Sequence, residues 1–317
     1  MRLRLRTQFE ITPKPPYNFR LTVRKPAGWD LFTSDEVFED ETLWTGIRFE
    51  GRPVGLKIQS RGTLEKPKVM VDVYSEREVL KGEVEKLRET LAVCLGADQD
   101  LREFYDFARK DGILKHVVES LYGMHDTQGV SLFNSVILAI CLQMARIKRS
   151  LEMMEAIDRR YGQTIEFDGR KVTLQPTAAR IAKLAPDSFG KACKLGYRAK
   201  YIVGSAKMIE AGFPDMLEIL STPPDEARER LVELPGIGDY AADIINPHGG
   251  FPIDAWSVDV FGLLFFGKQP EDRREAIDKV KREGIRRWGK WSWMAFFYVA
   301  QDLQNLSKQL GVQLRLE

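Results

Sequence analysis

Over residues 1–75 apolar and polar positions alternate with a period of two. The runs RLRLRTQFEI, YNFRLTV, TLWTGIRFEG, PVGLKIQSRG and KVMVDVYS follow one another at short spacing, separated by TPKPP, KPAG, EGRPVG and EKPK. Short alternating runs bounded by Pro and Gly read as β-strands joined by turns. An antiparallel sheet with one buried and one wet face is the expected arrangement. The tail GVQLRLE alternates too and is expected to return to this sheet.

Near residue 80 the period lengthens. EREVLKGEVEKLRETLAVCLG carries apolar residues at helical spacing and stops at Gly96. Helical patterns continue through DLREFYDFARKD, ILKHVVESLYG, LFNSVILAICLQMARIKRSLEMMEAIDRRYG, YRAKYIVGSAKMIEAG, PDEARERLVEL, DYAADIIN, AWSVDVFGLLFFG, PEDRREAIDKVKREGIRRWG and WSWMAFFYVAQDLQNLSKQL. The stretch 131–144 is apolar enough for a central buried helix, and TIEFDGRKVTLQPT interrupts the helices as a short hairpin. The pattern predicts an α+β protein. An N-terminal antiparallel β-sheet domain spans residues 1–90, and a mostly α-helical domain follows over 91–317.

Composition narrows the partners. The 317 residues are 44% hydrophobic and 30% charged, ample for a buried core. The formal net charge is +2, so the whole-chain balance announces no polyanionic partner and any basic face must be local. Cys94, Cys141 and Cys193 are too scattered for a disulfide framework, which fits a reducing, cytoplasmic setting. No close Cys/His cluster suggests zinc or an iron–sulfur centre, so no metal ligands are expected. The longest apolar runs, such as Ser135–Met144, are too short to span a bilayer, and MRLRLRTQFE lacks a signal-peptide core. No membrane partner is expected.

The stretch richest in candidate chemistry is LPGIGDYAADIINPHGGFPIDAWSVDVF, residues 234–261. A helical run enters a Pro-Gly-X-Gly turn, and a second helix opens near Asp239, which makes a helix–hairpin–helix. Gly236 and Gly238 permit positive φ and the close approach of a foreign backbone. The amides that open the second helix suit a phosphate oxygen, while Ile237 packs inward. Taken alone, the motif is also an ordinary turn between helices. The Gly- and Pro-rich loop GGFPIDAW then ends in Asp254 just before an apolar helix, where an aspartate makes a natural cap.

Hairpin, Gly/Pro loop and aspartate, in this order, resemble the helix–hairpin–helix–GPD superfamily of DNA base-excision glycosylases. LGYRAKYIVGSAKMI, NSVILAICLQMARIKRS and WSWMAFFYVAQDL resemble helices of its alkylation-type and oxoguanine-type branches, which also carry an N-terminal β domain. The resemblance covers residues 115–305 well and the first hundred residues loosely. It implies a helix–hairpin–helix glycosylase domain acting on double-stranded DNA with damaged bases. It also implies a nucleoid-associated monomer with no cofactor, beyond a monovalent cation that the hairpin backbone can hold. For Asp254 it implies stabilisation of the positive charge that grows on the sugar, and orientation of an attacking water. Asp259 reads as a surface or ion-pair residue and Asp243 as structural.

Bifunctional relatives place a nucleophilic lysine two positions after the second glycine, where it forms a Schiff base with the sugar. Here that position is Tyr240. The departure resembles monofunctional, alkylation-type members and implies water as nucleophile and an abasic site as product. Lys290 and Lys148 are substitutes that nothing in the sequence favours. A base acted on in duplex DNA must leave the stack. Tyr240, Trp256, Trp291, Trp293 and Phe297 are candidates for its pocket, with Phe296 and Tyr298 beside them, although aromatic residues at helical spacing also build cores. Cationic alkylated purines stack well on such faces. Ala295 and Val299 stand where oxoguanine readers are expected to carry glutamine and phenylalanine, which favours alkylated or deaminated purines.

Gln143, Met144 and Arg146 end the helix that resembles the family's wedge, with Met144 or Arg146 as the plug. Lys148, Arg149, Arg198 and Lys200 are candidates for phosphate contact, as is His248 in the Gly loop; a solvated face explains such charges equally well. Gly236, Ile237 and Gly238 complete the expected DNA contacts. Two other readings stay open: an oxidised-base glycosylase with lyase activity, and a non-catalytic DNA-structure binder that keeps the hairpin.

Overall fold

The computed structural model describes residues 1–28, 30–145, 147–246, 250–255 and 257–314. They form two compact units. The first comprises 1–107, 118–130 and 157–176, and the second 108–117, 131–156 and 177–317. The first unit thus also takes in 91–107, 118–130 and 157–176 from beyond residue 90.

In the first unit, the alternating runs form strands β1 (Leu5–Ile11), β2 (Val37–Glu39), β3 (Thr42–Phe49), β4 (Arg52–Ser60) and β5 (Val69–Ser75). All pair antiparallel, in the order β1-β5-β4-β3-β2. The register lines up Phe9, Val71, Ile58 and Leu43 across one face. That row is buried with Leu87, Leu91 and Cys94 of the helix Lys81–Cys94. The other face, expected to be wet, is partly covered by the hairpin β6 (Gln163–Phe167) and β7 (Arg170–Leu174). The paired glycines Gly46 and Gly55 leave a bare notch there: a Cβ would stand 2.6 Å from Leu174 at the first and 2.4 Å from the Phe167 ring at the second. Asp168, in the hairpin turn, accepts hydrogen bonds from Trp44 Nε1 at 2.8 Å and the Tyr74 hydroxyl at 3.1 Å.

Three expected elements differ. YNFRLTV holds a short helix, Phe19–Val23, because the Asn18 side chain accepts the Leu21 amide at 3.1 Å and caps it. ILKHVVESLYG contains only the 3₁₀ turn Leu114–His116, tightened by the Asp111 carboxylate, which accepts the amides of Ile113 and Leu114. At the tail, Gly311 ends a helix in the left-handed region and the Leu314 amide donates to Ser307 Oγ, so 311–314 form no strand; 315–317 lie outside the described residues.

The second unit is built around the apolar helix Leu132–Leu142, which buries Leu132, Phe133, Val136, Ile137, Ala139, Ile140 and Cys141. The long run expected to continue it breaks at Gln143–Met144, and a second helix covers Ile147–Tyr161. Farther on come the helices Arg198–Glu210, Pro224–Leu231, Asp239–Ile245, Ser257–Phe266, Arg273–Trp288 and Ser292–Gln301. Cys94, Cys141 and Cys193 are buried and form no disulfide. Among the described residues no helix is long and apolar enough to cross a membrane.

Candidate active site

The hairpin joins Pro224–Leu231 to Asp239–Ile245. Gly236 turns the chain at φ 82, and a Cβ there would stand 2.6 Å from Tyr201 Cβ, so both conformation and space require glycine. Ser205 Oγ donates to the Pro235 carbonyl at 2.9 Å, which fastens the turn to the helix Arg198–Glu210. Ile237 is buried, and its amide donates to Leu234 O. Gly238 occupies the cap position of Asp239–Ile245, and no side chain caps that helix. The hairpin is thus pinned from behind while its glycines stay uncovered by side chains of their own.

The next segment carries the acid. Phe251 is fully buried within 6.2 Å, centroid to centroid, of the rings of Phe261, Phe265, Trp288 and Phe296. It fits over Gly284, where a Cβ would lie 2.3 Å from its ring. Pro252 and Ile253 are buried in turn, and the chain emerges at Asp254, which is only partly buried. Asp254 then opens Ser257–Phe266 as its cap. Its Oδ1 accepts the Ser257 amide and hydroxyl, both at 2.8 Å, while its own amide donates to Ser257 Oγ at 2.9 Å. These bonds fix the carboxylate's direction. Tyr240, in the first turn of the second hairpin helix, lies close enough for the Asp254 charge to act on it. Burial first, and that charge second, push its phenol well above the ordinary tyrosine range, so it stays neutral and protonated.

Around this pair the expected aromatic residues divide. Trp293 keeps part of its surface and stacks on Phe297 at 6.4 Å with 12° between planes, while Phe297 itself is 8% exposed. Trp291 is half-buried with Lys290 Nζ 4.9 Å from its ring centroid. Tyr298 is fully buried, and Phe296 sits in the box around Phe251; these two are core. Ala295 and Val299 are fully buried as well. Trp256, Arg146 and His248 lie outside the described residues.

At the end of the apolar helix, Gln143 Nε2 donates to Gly236 O at 2.6 Å, which joins the helix end to the hairpin. Met144 follows in the left-handed region, φ 48, with 64% of its surface exposed. A bulky apolar side chain held outward on a disfavoured backbone is a feature that the structure maintains at a cost. Arg198, a candidate phosphate ligand from the sequence, is engaged internally: it donates to Ile140 O at 3.2 Å and to Gln143 O, and so caps this helix end. Arg149 donates to Lys194 O and pairs with Glu152. Lys148 is exposed. Asp259 is paired with Arg273. Among the described residues no group of three or more His, Cys, Asp or Glu could hold a metal ion.

Sequence reasoning did not single out Ser257, Gly250 or Ser292, and it read Arg198 as a phosphate ligand rather than as the cap of a helix end. Asp254 was legible as a cap, but Ser257 was not legible as its partner, since the residue that completes a capping box is normally Glu or Gln. The other three act through backbone contacts that leave no periodic trace.

The chain is 24% identical over 205 residues to the DNA-3-methyladenine glycosylase of Bacillus subtilis (strain 168), covering 64% of this chain and 67% of that protein. It is 25% identical over 257 residues to the probable N-glycosylase/DNA lyase of Methanothermobacter thermautotrophicus, covering 74% and 78%. Its homologues are DNA glycosylases. The glycosylase fold extends over nearly all of the chain. The 3-methyladenine DNA-glycosylase from Archaeoglobus fulgidus superposes with a TM-score of 0.75 at 23% identity, over 93% of this chain and 98% of that one. The 8-oxoguanine glycosylase/lyase of Clostridium acetobutylicum does so with 0.67 at 19%, over 94% and 99%. Homologues and structural neighbours alike are thus helix–hairpin–helix glycosylases, of both the 3-methyladenine and the 8-oxoguanine kinds. No family model matches the chain.

Proposed function

We propose that this chain, a DNA glycosylase by kinship and fold, extrudes a damaged purine from double-stranded DNA and hydrolyses its N-glycosidic bond without cutting the strand. The observation that carries the reading is Tyr240, which stands two positions after Gly238 of the hairpin, where bifunctional relatives carry a lysine. A protonated phenol stands where a lyase needs an amine, so water attacks the sugar C1′, the bond to the base breaks, and the base leaves with its electron pair and a proton. Asp254, aimed by its bonds to Ser257, offsets the positive charge on the sugar as that bond stretches. Tyr240, Trp291, Trp293 and Phe297 offer faces to an extruded, electron-poor purine, and the buried apolar pair Ala295 and Val299 offers no polar group to read an oxidised one.

Gly236, Ile237 and Gly238 hold the strand through their backbone, where the hairpin also suits a monovalent cation. Met144 fills the vacated place in the stack, and Lys148 meets phosphate. The reading takes the protein as a monomer within the cell.

The relative named a DNA lyase keeps a second reading in play: removal of oxidised bases with strand cleavage. One assay separates them. Purified protein is incubated with duplexes holding hypoxanthine, methylated adenines, 7-methylguanine, uracil or 8-oxoguanine, each with and without alkali and with borohydride. The expected result is alkali-dependent breakage at an alkylated or deaminated purine and no covalent adduct. An adduct trapped on 8-oxoguanine would overturn it.

A further inference from the structure

We infer that Asp243 and Gly250 form a seat that positions the loop carrying Asp254. Asp243 sits on the second hairpin helix with its side chain 4% exposed. One oxygen accepts from Arg228 of the helix Pro224–Leu231 at 2.6 Å, the other from Lys281 of the helix Arg273–Trp288 at 2.7 Å. Arg228 also pairs with Asp239 at 2.9 Å. One buried carboxylate therefore ties three helices together.

Such a pair is weak evidence for stability, because apolar side chains of equal volume fill a core as well. What the ion pairs fix is the direction and height of the Asp243 side chain, and the acid loop rests on that side chain. A Cβ at Gly250 would lie 2.8 Å from Asp243 Cγ and 3.0 Å from its Oδ1, so only a glycine lets the loop sit this low. Ser292 Oγ in addition donates to the Gly250 carbonyl at 3.2 Å. Gly250, four residues ahead of Asp254, is thus in contact with both. Phe251, next in the chain, presses on Gly284, one turn from Lys281 on the same helix. The seat and the aromatic box thus share one support. A group that must meet an emerging charge tolerates little displacement, since about 1 Å can cost about a hundredfold in rate.

The inference rests on the glycosylase reading. It is tested by a double-mutant cycle of Gly250→Ala and Asp243→Ala. The single-turnover rate of base release is measured on the damaged duplex that the wild-type protein cuts, together with Kd for a duplex carrying a stable abasic-site analogue, and Tm. Gly250→Ala alone is expected to slow release about tenfold or more, with Kd within about twofold of wild type. In the Asp243→Ala background the same change should cost less than about twofold, because the side chain it collides with is gone. Ser292→Ala leaves the ion pairs intact and is expected to slow release several-fold at unchanged Kd, which gives a reading even if Asp243→Ala does not fold.

An equal penalty for Gly250→Ala in both backgrounds, or wild-type rates for both Gly250→Ala and Ser292→Ala, overturns the inference and leaves the glycosylase reading standing. A wild-type protein that releases no base from any duplex removes both.

Discussion

Asp254 separates two kinds of substitution. Asn at this position still offers an oxygen to the Ser257 amide, so the cap on Ser257–Phe266 persists while the charge goes. Ala removes both. On the proposed mechanism, Asp254→Asn is expected to lower the single-turnover rate of base release by about a hundredfold or more, with Tm close to wild type. Asp254→Ala should lose as much rate and also about 1 kcal/mol of stability, seen as a Tm lower by roughly 2–4 °C in calorimetry. Unchanged release by Asp254→Asn would take the chemistry away from Asp254, whereas duplex binding with no release by the wild-type protein would support a protein that binds DNA structure without cutting it. The aspartate was legible as a cap from its place before an apolar helix, and its part in the chemistry only through the resemblance that hairpin, Gly/Pro loop and acid carry together. Its partner Tyr240 was legible only against the expectation of a lysine two positions after Gly238.

Where one helix passes into the next, the sequence said less. By periodicity alone residues 132–161 read as a single helical run, because apolar spacing continues on both sides of Gln143–Met144 and no Gly or Pro marks the break; only the resemblance to the family's wedge helix put an end at Gln143–Arg146. Tertiary bonds impose it: Arg198 takes the carbonyls of Ile140 and Gln143, and Gln143 turns its amide to Gly236 O. The same blindness affects WSWMAFFYVAQDLQNLSKQL, which divides into Ser292–Gln301 and Leu303–Leu310. The turn at Met144 yields a prediction in which stability and activity part company. Glycine adopts a φ of 48 without strain, though it adds entropy to the unfolded chain, so Met144→Gly should leave Tm unchanged or raise it by about 1–2 °C. With no side chain to fill the stack, base release from duplex should fall about tenfold, whereas release from a base already extruded in a bulge should be spared. Comparable losses on both substrates would show that Met144 is no wedge.

For the molecule as a whole, the change of period near residue 80 carried the α+β architecture, since alternation and helical spacing bury different faces. It could not show that the hairpin β6–β7, embedded among helices in sequence, joins the first unit; that follows from the Gly46–Gly55 notch. Nor could it show how the buried charges of that unit respond to pH. Burial pushes the Glu36 carboxyl up from its ordinary 4.5 to about 7, although the amides of Leu31 and Phe32 donate to it. The folded state therefore keeps a proton that the unfolded chain releases, and stability falls as pH rises from about 4.5 to about 7. Lys25 is lowered by burial from 10.5 to about 8, so the folded state gives up its proton first and stability rises again between about 8 and 10.5. Tm measured across pH should dip between about 7 and about 8, and Glu36→Gln should flatten the acid limb while sparing the alkaline one. A fall in Tm on acidification from pH 7 to 5 that Glu36→Gln abolishes would reverse the assignment.

The three thiols have a practical consequence. All are buried, and burial pushes that of Cys94 up to about 12, far from the reactive thiolate form. A cysteine placed at position 144 would stand alone at the surface, on a side chain that faces solvent in the free protein. It would take a maleimide dye selectively with no need to strip the native cysteines, and the dye's quenching would time the moment a lesion is found.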